Sequence, residues 1–421
     1  MISLFINETI GEIVSRILTI DDYDFEGKTA LVRVDFNSPI DPKTKKILDS
    51  TRIKAHGEST IKELSAKGAK VVILAHQGRP GDPDFTSLRE HAEILSKILG
   101  KPVQFVDDLL GEKAKKAIQR LKNGEILVLE NVRSFADEQK KGTPEEHAKT
   151  ELVKKLAPLA DVFVNDAFGA AHRAHVSIVG FTAVLPSVAG RIMEREVTAL
   201  NRVVHNPEKP CVYVLAGAKA DDALKISKYV LDNGIADHVL TGGVVANLFL
   251  VAKGVDVGKP NIERLAKMDA MQFVPGIKEL TAKYPRSIEV PLDLAVDADG
   301  KRAEVSVGKL PTKYVLCDIG HETVKAYGEI LRGAKSIVLS GPMGVFENKA
   351  FIYGTAEVLR AVASSKAFSV VGGGHSIAAV EELGLSSRIS YISTAGGALI
   401  EFLMGEQLPG IVALEKAASR T

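Results

Sequence analysis

The chain has 421 residues, of which 54 are Lys or Arg and 53 are Asp or Glu, so its formal net charge is only +1. This balance argues against a global positive field for nucleic acid or an anionic membrane, and any attraction for an anionic ligand must come from local clusters. At about 100–200 residues per domain, the length predicts two domains, and a hydrophobic content of 45% is ordinary for globular proteins.

The first 18 residues look like an extension. They contain Glu8 and Glu12 and lack a basic start, which argues against a secretory signal. Their apolar residues fit one face of a short helix: Ile10, Ile13, Val14, Ile17 and Leu18. No apolar stretch of the chain reaches the ~18 residues needed to span a bilayer. We therefore expect a cytoplasmic protein.

Short apolar runs alternate with helical patterns almost throughout, which is typical of parallel α/β architecture. The runs are continuous, as expected for strands covered on both faces. The predicted strands are 30–36, 70–75, 103–106, 126–130 and 161–165 in the first half, and 212–217, 238–241, 314–317, 336–339 and 368–371 in the second. Cys211 and Cys317 belong to apolar runs, so we expect both to be reduced, buried strand residues.

Helix ends and one domain boundary can also be predicted. A helix from about Thr51 should stop at Gly68, and another should open with a capping box, Ser87-x-x-Glu90, and end before Gly100. Pro275-Gly276 should divide the helical stretch 261–284. The charged stretch 191–204 between two prolines predicts a helical connector. We expect an N-terminal domain over 1–188, a connecting helix over 189–205, a C-terminal domain over 206–405, a tail 406–421 that returns to the first domain, and a substrate cleft between the domains.

Basic and polar residues follow the strands of the first half, where ligands of open parallel sheets bind. They are Arg33, Asp35, Phe36, Asn37, Arg52, His76, Gln77, Gly78, Arg79, Arg133 and Arg173. Arginines at the ends of neighbouring strands should converge, and Arg suits phosphate and carboxylate. The alternative is that each arginine makes a surface or interdomain salt bridge. His172 and His175 lack a third ligand, so no metal site is predicted there.

Glycine-rich turns follow strands in the second half. They are Gly217-Ala218-Lys219, Gly242-Gly243, Ser340-Gly341-Pro342-Met343-Gly344-Val345-Phe346-Glu347 and Gly372-Gly373-Gly374-His375. Glycines let backbone N–H groups approach phosphate oxygens, and a helix N-terminus favours anions. One Gly-Gly usually marks only a tight turn, but four such turns predict a nucleotide site. The chain has neither a Walker A sequence nor G-x-G-x-x-G.

These segments resemble the signatures of the phosphoglycerate kinases, in that family's order, from about residue 20 to the C-terminus. The matching motifs are Arg33-x-Asp35-x-Asn37-x-Pro39, His76-x-Gly78-Arg79-Pro80, Glu130-Asn131-x-Arg133, Asn165-Asp166-Ala167-Phe168-Gly169-x-x-His172-Arg173-Ala174-His175 and Gly341-Pro342-x-Gly344-Val345-Phe346-Glu347. The resemblance implies that Arg52 meets the transferring phosphoryl group. The predicted 3-phosphoglycerate-binding residues are Asp35, Phe36, Asn37, Arg52, His76, Gln77, Gly78, Arg79, Arg133 and Arg173.

The resemblance also implies which residues bind the nucleotide. They are Lys219, Gly242, Gly243, Glu347, Gly372, Gly373, Gly374 and His375. Arg52, Lys219 and Lys225 are the predicted catalytic cations. Three departures from the family pattern stand out. Lys225 lies six residues after Lys219 rather than four, which suits a helix capped by Asp222. His375 stands where most members have a metal-facing aspartate, and Ala395 interrupts a glycine run. The first two departures resemble those of archaeal members.

The predicted reaction is reversible phosphoryl transfer between ATP and the carboxylate of 3-phosphoglycerate, giving ADP and 1,3-bisphosphoglycerate. That carboxylate is ionised near pH 7, so no general base is required. We expect Mg²⁺ to arrive with the nucleotide, and the sequence identifies no protein ligand for it. We also expect only small-molecule partners, and a monomer or homodimer. Two alternatives are an NAD-dependent dehydrogenase, which the missing fingerprint disfavours, and a non-catalytic nucleotide-binding protein, which His375 suggests.

Overall fold

The computed structural model describes residues 17–420, and the chain divides into two compact units. Unit 1 contains the described residues up to Val197 together with those from Gln407 onward, and unit 2 runs from Thr198 to Glu406. Within the described residues, no helix is both long enough and apolar enough to cross a membrane. Most of the predicted N-terminal helix lies outside the described residues; Ile17 and Leu18, which are described, are not helical.

Unit 1 contains a six-stranded parallel sheet. Its strands are β1 (Thr29–Arg33), β2 (Lys70–Leu74), β3 (Gln104–Phe105), β4 (Ile126–Val128), β5 (Val162–Asn165) and β6 (Ser187–Ala189), in the order β3-β4-β2-β1-β5-β6. Its helices are α1 (Thr51–His56), α2 (Lys62–Ala66), α3 (Arg89–Leu99), α4 (Glu112–Arg120), α5 (Pro144–His147), α6 (Glu151–Leu156), α7 (Val176–Val179) and the start of α8 (Arg191–Val204). A π-helical turn, Gly57–Ile61, joins α1 to α2.

Both faces of this sheet are buried. In β1, Ala30 and Val32 pack with Ile53 on one side, whereas Leu31 packs with Phe163 on the other. Successive strand residues point to opposite faces, so a strand that is covered on both sides reads as a continuous apolar run.

Unit 2 contains a second six-stranded parallel sheet and a small antiparallel one. The strands are β7 (Cys211–Leu215), β8 (His238–Thr241), β9 (Ile288–Glu289), β10 (Asp293–Ala298), β11 (Lys301–Ser306), β12 (Val315–Ile319), β13 (Ser336–Ser340), β14 (Phe368–Gly372) and β15 (Tyr391–Ser393). The parallel order is β15-β14-β13-β7-β8-β9, and the antiparallel order is β11-β10-β12. The helices are α9 (Ala220–Asp232), α10 (Gly243–Ala252), α11 (Lys259–Lys267), α12 (Val274–Lys283), α13 (His321–Gly333), α14 (Tyr353–Ser364), α15 (Gly374–Glu382) and α16 (Gly397–Leu403). The last helix, α17 (Pro409–Ala418), belongs to unit 1.

The predicted α/β class with two mainly parallel sheets is confirmed, but several local predictions are wrong. Helix α3 has Leu88 at its N-cap with no side-chain cap, and Ser87 instead donates to Glu130 Oε2 at 2.7 Å. The break in 261–284 follows α11 rather than Pro275, which lies in the first turn of α12. That position is correct for proline, because the N–H it lacks has no helical partner there.

The two cysteines differ in burial. Cys211 is buried in β7, and burial raises the pKa of its thiol to about 12. Cys317 is only half-buried, in the antiparallel strand β12, so its prediction as a buried residue is only partly right. Both cysteines are free thiols.

Candidate active site

Four neighbouring strands of unit 1, β4, β2, β1 and β5, end at the same edge of the sheet. Arg33 at the end of β1 lies level with Leu74 of β2 and Asn165 of β5. The residues that follow these strands therefore share one edge, as the sequence predicts. We call Arg33, Arg52, Arg79, Arg133 and Arg173 the basic cluster.

Arg33 is the buried centre of this cluster, with only 1% of its surface exposed. Its Nε donates to Ser177 Oγ at 2.8 Å, and one terminal nitrogen lies 3.0 Å from His76 Nδ1. The Ser177 hydroxyl in turn donates to Glu138 Oε1 at 2.6 Å. A guanidinium can only donate, so His76 Nδ1 accepts and the imidazole proton lies on Nε2.

The lowered pKa values of two side chains show that the positive charges of the basic cluster lie close together. Burial, reinforced by Arg33, Arg133, Arg173 and Arg52, holds the pKa of His76 well below its usual value. Burial and then Arg173 lower the pKa of Arg133 to about 10. These side chains form a pocket of excess positive charge, which attracts an anion.

One buried carboxylate, that of Glu138, lies close to these cations. Burial raises the pKa of Glu138 to about 7, even though Arg33 and its two hydrogen bonds from Ser177 favour the ionised form. Glu138 is 1% exposed. A group with this pKa changes charge near neutrality, so the net charge of the site depends on pH.

The turn after β1 brings Asp35, Asn37 and Arg52 together. Arg52 donates to Asp35 Oδ2 at 2.7 Å, and Asn37 N donates to Asp35 Oδ1 at 3.2 Å. Asn37 Oδ1 accepts from Gly78 N at 2.9 Å, which ties this turn to the one after β2. The Arg52 side chain is 33% exposed, so it is accessible to a ligand.

The side chains of Phe36 and Gln77, two predicted binding residues, point into the interior. Phe36 is fully buried between His56 and His91. Gln77 is also fully buried, and its amide accepts from Ser38 N at 2.8 Å and donates to Ser38 O at 3.0 Å. Both side chains therefore shape the turns, and only their backbone atoms can reach a ligand.

In unit 2, glycine backbone lines the edge where strands of the parallel sheet end. Residues that line a cavity of about 380 Å³ include Lys219, Asp222, Ser340, Gly341, Gly373, Gly374, Ser376, Gly396 and Gly397. We call Gly217, Gly341, Gly373, Gly374, Gly396 and Gly397 the glycine edge. Helices α9, α15 and α16 begin here, so their unpaired N–H groups and dipoles favour an anion.

An adjoining cavity is also lined mainly by apolar atoms. Its residues include Gly217, Gly243, Val244, Asn247, Leu294, Leu316, Met343, Glu347 and His375. An apolar slot that opens beside an anion site matches the shape of a nucleotide. Leu294, Leu316 and Asn247 were missing from the sequence prediction, because a single leucine or asparagine within a strand or helix carries no sign that it borders a cavity.

Two predicted glycines, Gly242 and Gly372, line neither cavity. A Cβ at Gly372 would lie 2.0 Å from Leu399 Cδ2, and one at Gly242 would lie 2.5 Å from Met343 Sδ. Close packing therefore explains both glycines. His375 Nε2 lies 4.0 Å from Glu347 Oε1, and both side chains are largely exposed.

The lysines of unit 2 differ from the prediction. Helix α9 begins at Ala220 with Lys219 at its N-cap, so Asp222 does not cap the helix and Lys225 lies beyond the first turn. Lys225 Nζ pairs with Asp221 at 2.7 Å, whereas the Lys219 side chain is 81% exposed at the cavity. Among residues 17–420, no group of three His, Cys, Asp or Glu side chains is arranged to hold a metal ion.

Comparisons with known proteins identify the family of this chain. The family model described as phosphoglycerate kinase matches residues 20–406. The chain belongs to the phosphoglycerate kinase family. Phosphoglycerate kinases of two archaea are similar over nearly their whole length: that of Methanothermus fervidus is 48% identical, covering 96% of this chain and 98% of the relative, and that of Methanococcus maripaludis is 52% identical, covering 95% and 98%.

Solved structures agree with this assignment. The crystal structure of phosphoglycerate kinase from Pyrococcus horikoshii OT3 matches with a TM-score of 0.88 and 43% identity, covering 96% of this chain and 100% of that one. The enzyme from Coxiella burnetii gives 0.81 and 34%, covering 95% and 99%. The predicted family, its archaeal character and its class are confirmed: the chain is a kinase with a carboxylate acceptor.

Proposed function

We propose that this chain carries out reversible phosphoryl transfer between ATP and the carboxylate of 3-phosphoglycerate, with the acid bound by the basic cluster and the nucleotide by the glycine edge. The main support for assigning the acid to unit 1 is that Arg33, Arg133 and Arg173 converge around His76 at one sheet edge. The phosphate and carboxylate of the acid are the groups that such cations bind.

The acid site uses cations and one neutral donor. Arg79, Arg133 and Arg173 supply charge, and His76 presents Nε2–H because Arg33 occupies its other nitrogen. Asp35, held by Arg52, and Asn37, held by the Gly78 amide, are the proposed partners of the hydroxyl of the acid. A neutral His76 adds a donor without adding to the charge repulsion among the arginines.

The nucleotide site divides between the two cavities of unit 2. The base occupies the slot between Leu294, Leu316 and Met343, and Glu347 binds the ribose. Phosphates lie against the amides of Gly373 and Gly374 at the start of α15. The cavity lined by leucine and methionine side chains suits the flat base, and the one lined by glycine amides suits the phosphates.

Transfer needs alignment and charge neutralisation rather than proton abstraction, because the acceptor carboxylate is already ionised. Arg52 and Lys219 are the proposed catalytic cations. Lys225 can join them only if it leaves Asp221. Mg²⁺ enters with the nucleotide, and it prefers several oxygen ligands. The cavity described above offers few carboxylates, of which Asp222 is one, so a bound ion would take most of its ligands from phosphates and water.

The predicted domains remain part of this proposal: 1–188 with tail 406–421 for the acid, 189–205 as connecting helix, and 206–405 for the nucleotide. In-line transfer requires reacting atoms about 3–3.5 Å apart, so substrate-dependent closure stays a prediction. A smaller radius of gyration in small-angle scattering with both substrates than with either alone would support it. Small-molecule partners, a monomer or homodimer, and a cytoplasmic location are proposed from the family.

A coupled assay for acyl-phosphate formation tests the function directly. Activity should require 3-phosphoglycerate, ATP and Mg²⁺ together, and should be absent when glycerate replaces the phosphorylated acid. Arg79→Met, at an exposed position, should raise the KM for 3-phosphoglycerate and leave the KM for ATP nearly unchanged. Nucleotide binding without turnover would instead support the non-catalytic alternative.

A further inference from the structure

Helix α8 begins directly after Gly190, which has no side chain to cap the helix. The first N–H groups of a helix need partners. Asp166 Oδ1 accepts from Ile192 N at 2.8 Å and from Met193 N at 3.2 Å. A Cβ at position 190 would lie 2.3 Å from the same oxygen, so glycine is needed for this approach.

The other oxygen of Asp166 binds a buried histidine. Asp166 Oδ2 lies 2.6 Å from His56 Nδ1, and the two side chains are 0% and 5% exposed. On the opposite side of the ring, Asp35 N lies 3.3 Å from His56 Nε2. A backbone N–H only donates, so Nε2 carries the lone pair and Nδ1 carries the proton that Asp166 accepts.

His56 and Arg52 occupy the same face of α1, four residues apart. Both bind Asp35: His56 accepts its backbone N–H, and Arg52 donates to its carboxylate at 2.7 Å. One helix face therefore holds Asp35 at two points. A shift of Asp35 away from His56 would move the partner of the Arg52 guanidinium.

We propose that His56 is a positioning residue, which fixes Asp35, and through it Arg52, relative to the α8 N-terminus that Asp166 caps. This inference rests on the proposed function, in which Arg52 faces the transferring phosphoryl group. Angstrom-scale misplacement of a reacting group can lower a rate about a hundredfold, so the hydrogen bond from Asp35 N affects catalysis without touching substrate.

Two substitutions separate positioning from support of the fold. In His56→Asn the amide N–H can still donate to Asp166, but nothing accepts from Asp35 N. In His56→Gln the longer side chain places an amide oxygen near the position of Nε2. We expect His56→Asn to lower kcat at least about tenfold with a smaller change in KM, and His56→Gln to recover most of that loss.

Thr60→Val is the matched control. Thr60 is buried, and its hydroxyl accepts from Arg191 N at 2.8 Å, so it binds the same helix start but not Asp35. This variant should lower Tm by a few degrees and keep kcat within about twofold. If His56→Asn behaves like Thr60→Val, with a lower Tm and normal kcat, the histidine is merely structural and the proposal fails.

A double-mutant cycle tests whether the effect passes through Asp35. In an Asp35→Ala background, where Arg52 has lost its acceptor, His56→Asn should cost no further activity, since residues of one network are not additive. Losses that multiply would contradict the proposal. The two levels can fail separately: a wild-type chain without kinase activity contradicts the proposed function, whereas an active wild type with unaffected His56 variants contradicts only the positioning.

Discussion

The basic cluster of unit 1 and the glycine edge of unit 2 both present groups that bind anions, yet they are built differently. Unit 1 uses charged side chains, some of them buried and held by other side chains, as Arg33 is by Ser177. Unit 2 uses backbone amides at helix starts, with Lys219 and Glu347 exposed around them. The comparison suggests that substitutions in unit 1 disturb charge, whereas those in unit 2 disturb backbone shape.

The largest expected effect is the loss of Arg52. Arg52→Ala should lower kcat at least about a hundredfold, which corresponds to roughly 3 kcal/mol of transition-state stabilisation. The control is Lys54→Ala, an exposed cation on the same helix, which should keep near-normal kcat. Steady-state kinetics with both substrates varied would measure this. A normal kcat with only a raised KM would mean that Arg52 binds the acid and nothing more.

The next prediction concerns Glu138, the buried carboxylate close to the basic cluster. The pKa of Glu138 rises from 4.5 in the unfolded chain to about 7 in the fold. The folded state therefore binds more protons between these values, and stability from this group is complete below pH 4.5 and lost as pH rises through 7. The loss amounts to roughly 3 kcal/mol, since one pKa unit is about 1.4 kcal/mol.

Glu138→Gln should remove this pH dependence. Hydrogen exchange of β1 and β5 amides at pH 5 and pH 8 would measure the opening free energy of unit 1 in both proteins. Taking the difference cancels the contributions of His76, His91 and His175, whose lowered pKa values act in the opposite direction as pH falls. An equal pH slope in wild type and variant would refute a titrating Glu138.

Sequence reasoning identified the basic cluster because arginines at strand ends are visible without coordinates. It could not find the partners that position them. Glu138 and Ser177 lie 39 residues apart, and His56 and Asp166 lie 110 apart. Neither separation along the sequence indicates that the two residues are in contact. These contacts depend on tertiary packing, and a buried polar residue in a sequence looks the same as an exposed one.

In the fold of the described residues, ten strands were predictable from their apolar runs and five were not. The sequence missed β6, β9, β10, β11 and β15. Strand β11 shows why: its six residues, Lys301–Ser306, are half-buried or exposed, so no apolar run marks them. The capping box at Ser87 fails for a different reason, since Glu130 from the end of β4 is the partner of that hydroxyl.

Backbone shape in unit 2 can be tested at Gly341. Its φ is +93°, and a Cβ there would lie 2.1 Å from the carbonyl oxygen of Ala216. Gly341→Ala should therefore cost about 2 kcal/mol of stability and weaken ATP binding while leaving 3-phosphoglycerate binding unchanged. Calorimetric titrations would measure both affinities. Gly333→Ala, with open space around the new methyl group, is the control and should alter neither.

The smallest effect is expected at His375, where most family members have an aspartate. The side chain is 72% exposed beside Glu347, and imidazole is a poor ligand for Mg²⁺. Gly373 and the start of α15 remain to bind phosphates, so nucleotide binding should survive its loss. His375→Ala should cost less than about 2 kcal/mol in kcat/KM, the range of a hydrogen bond to a charged group, and the enzyme should still require Mg²⁺. Activity that depended on Zn²⁺ or Ni²⁺ and vanished in His375→Ala would identify the histidine as a metal ligand, and the nucleotide site would then depend on a side chain after all.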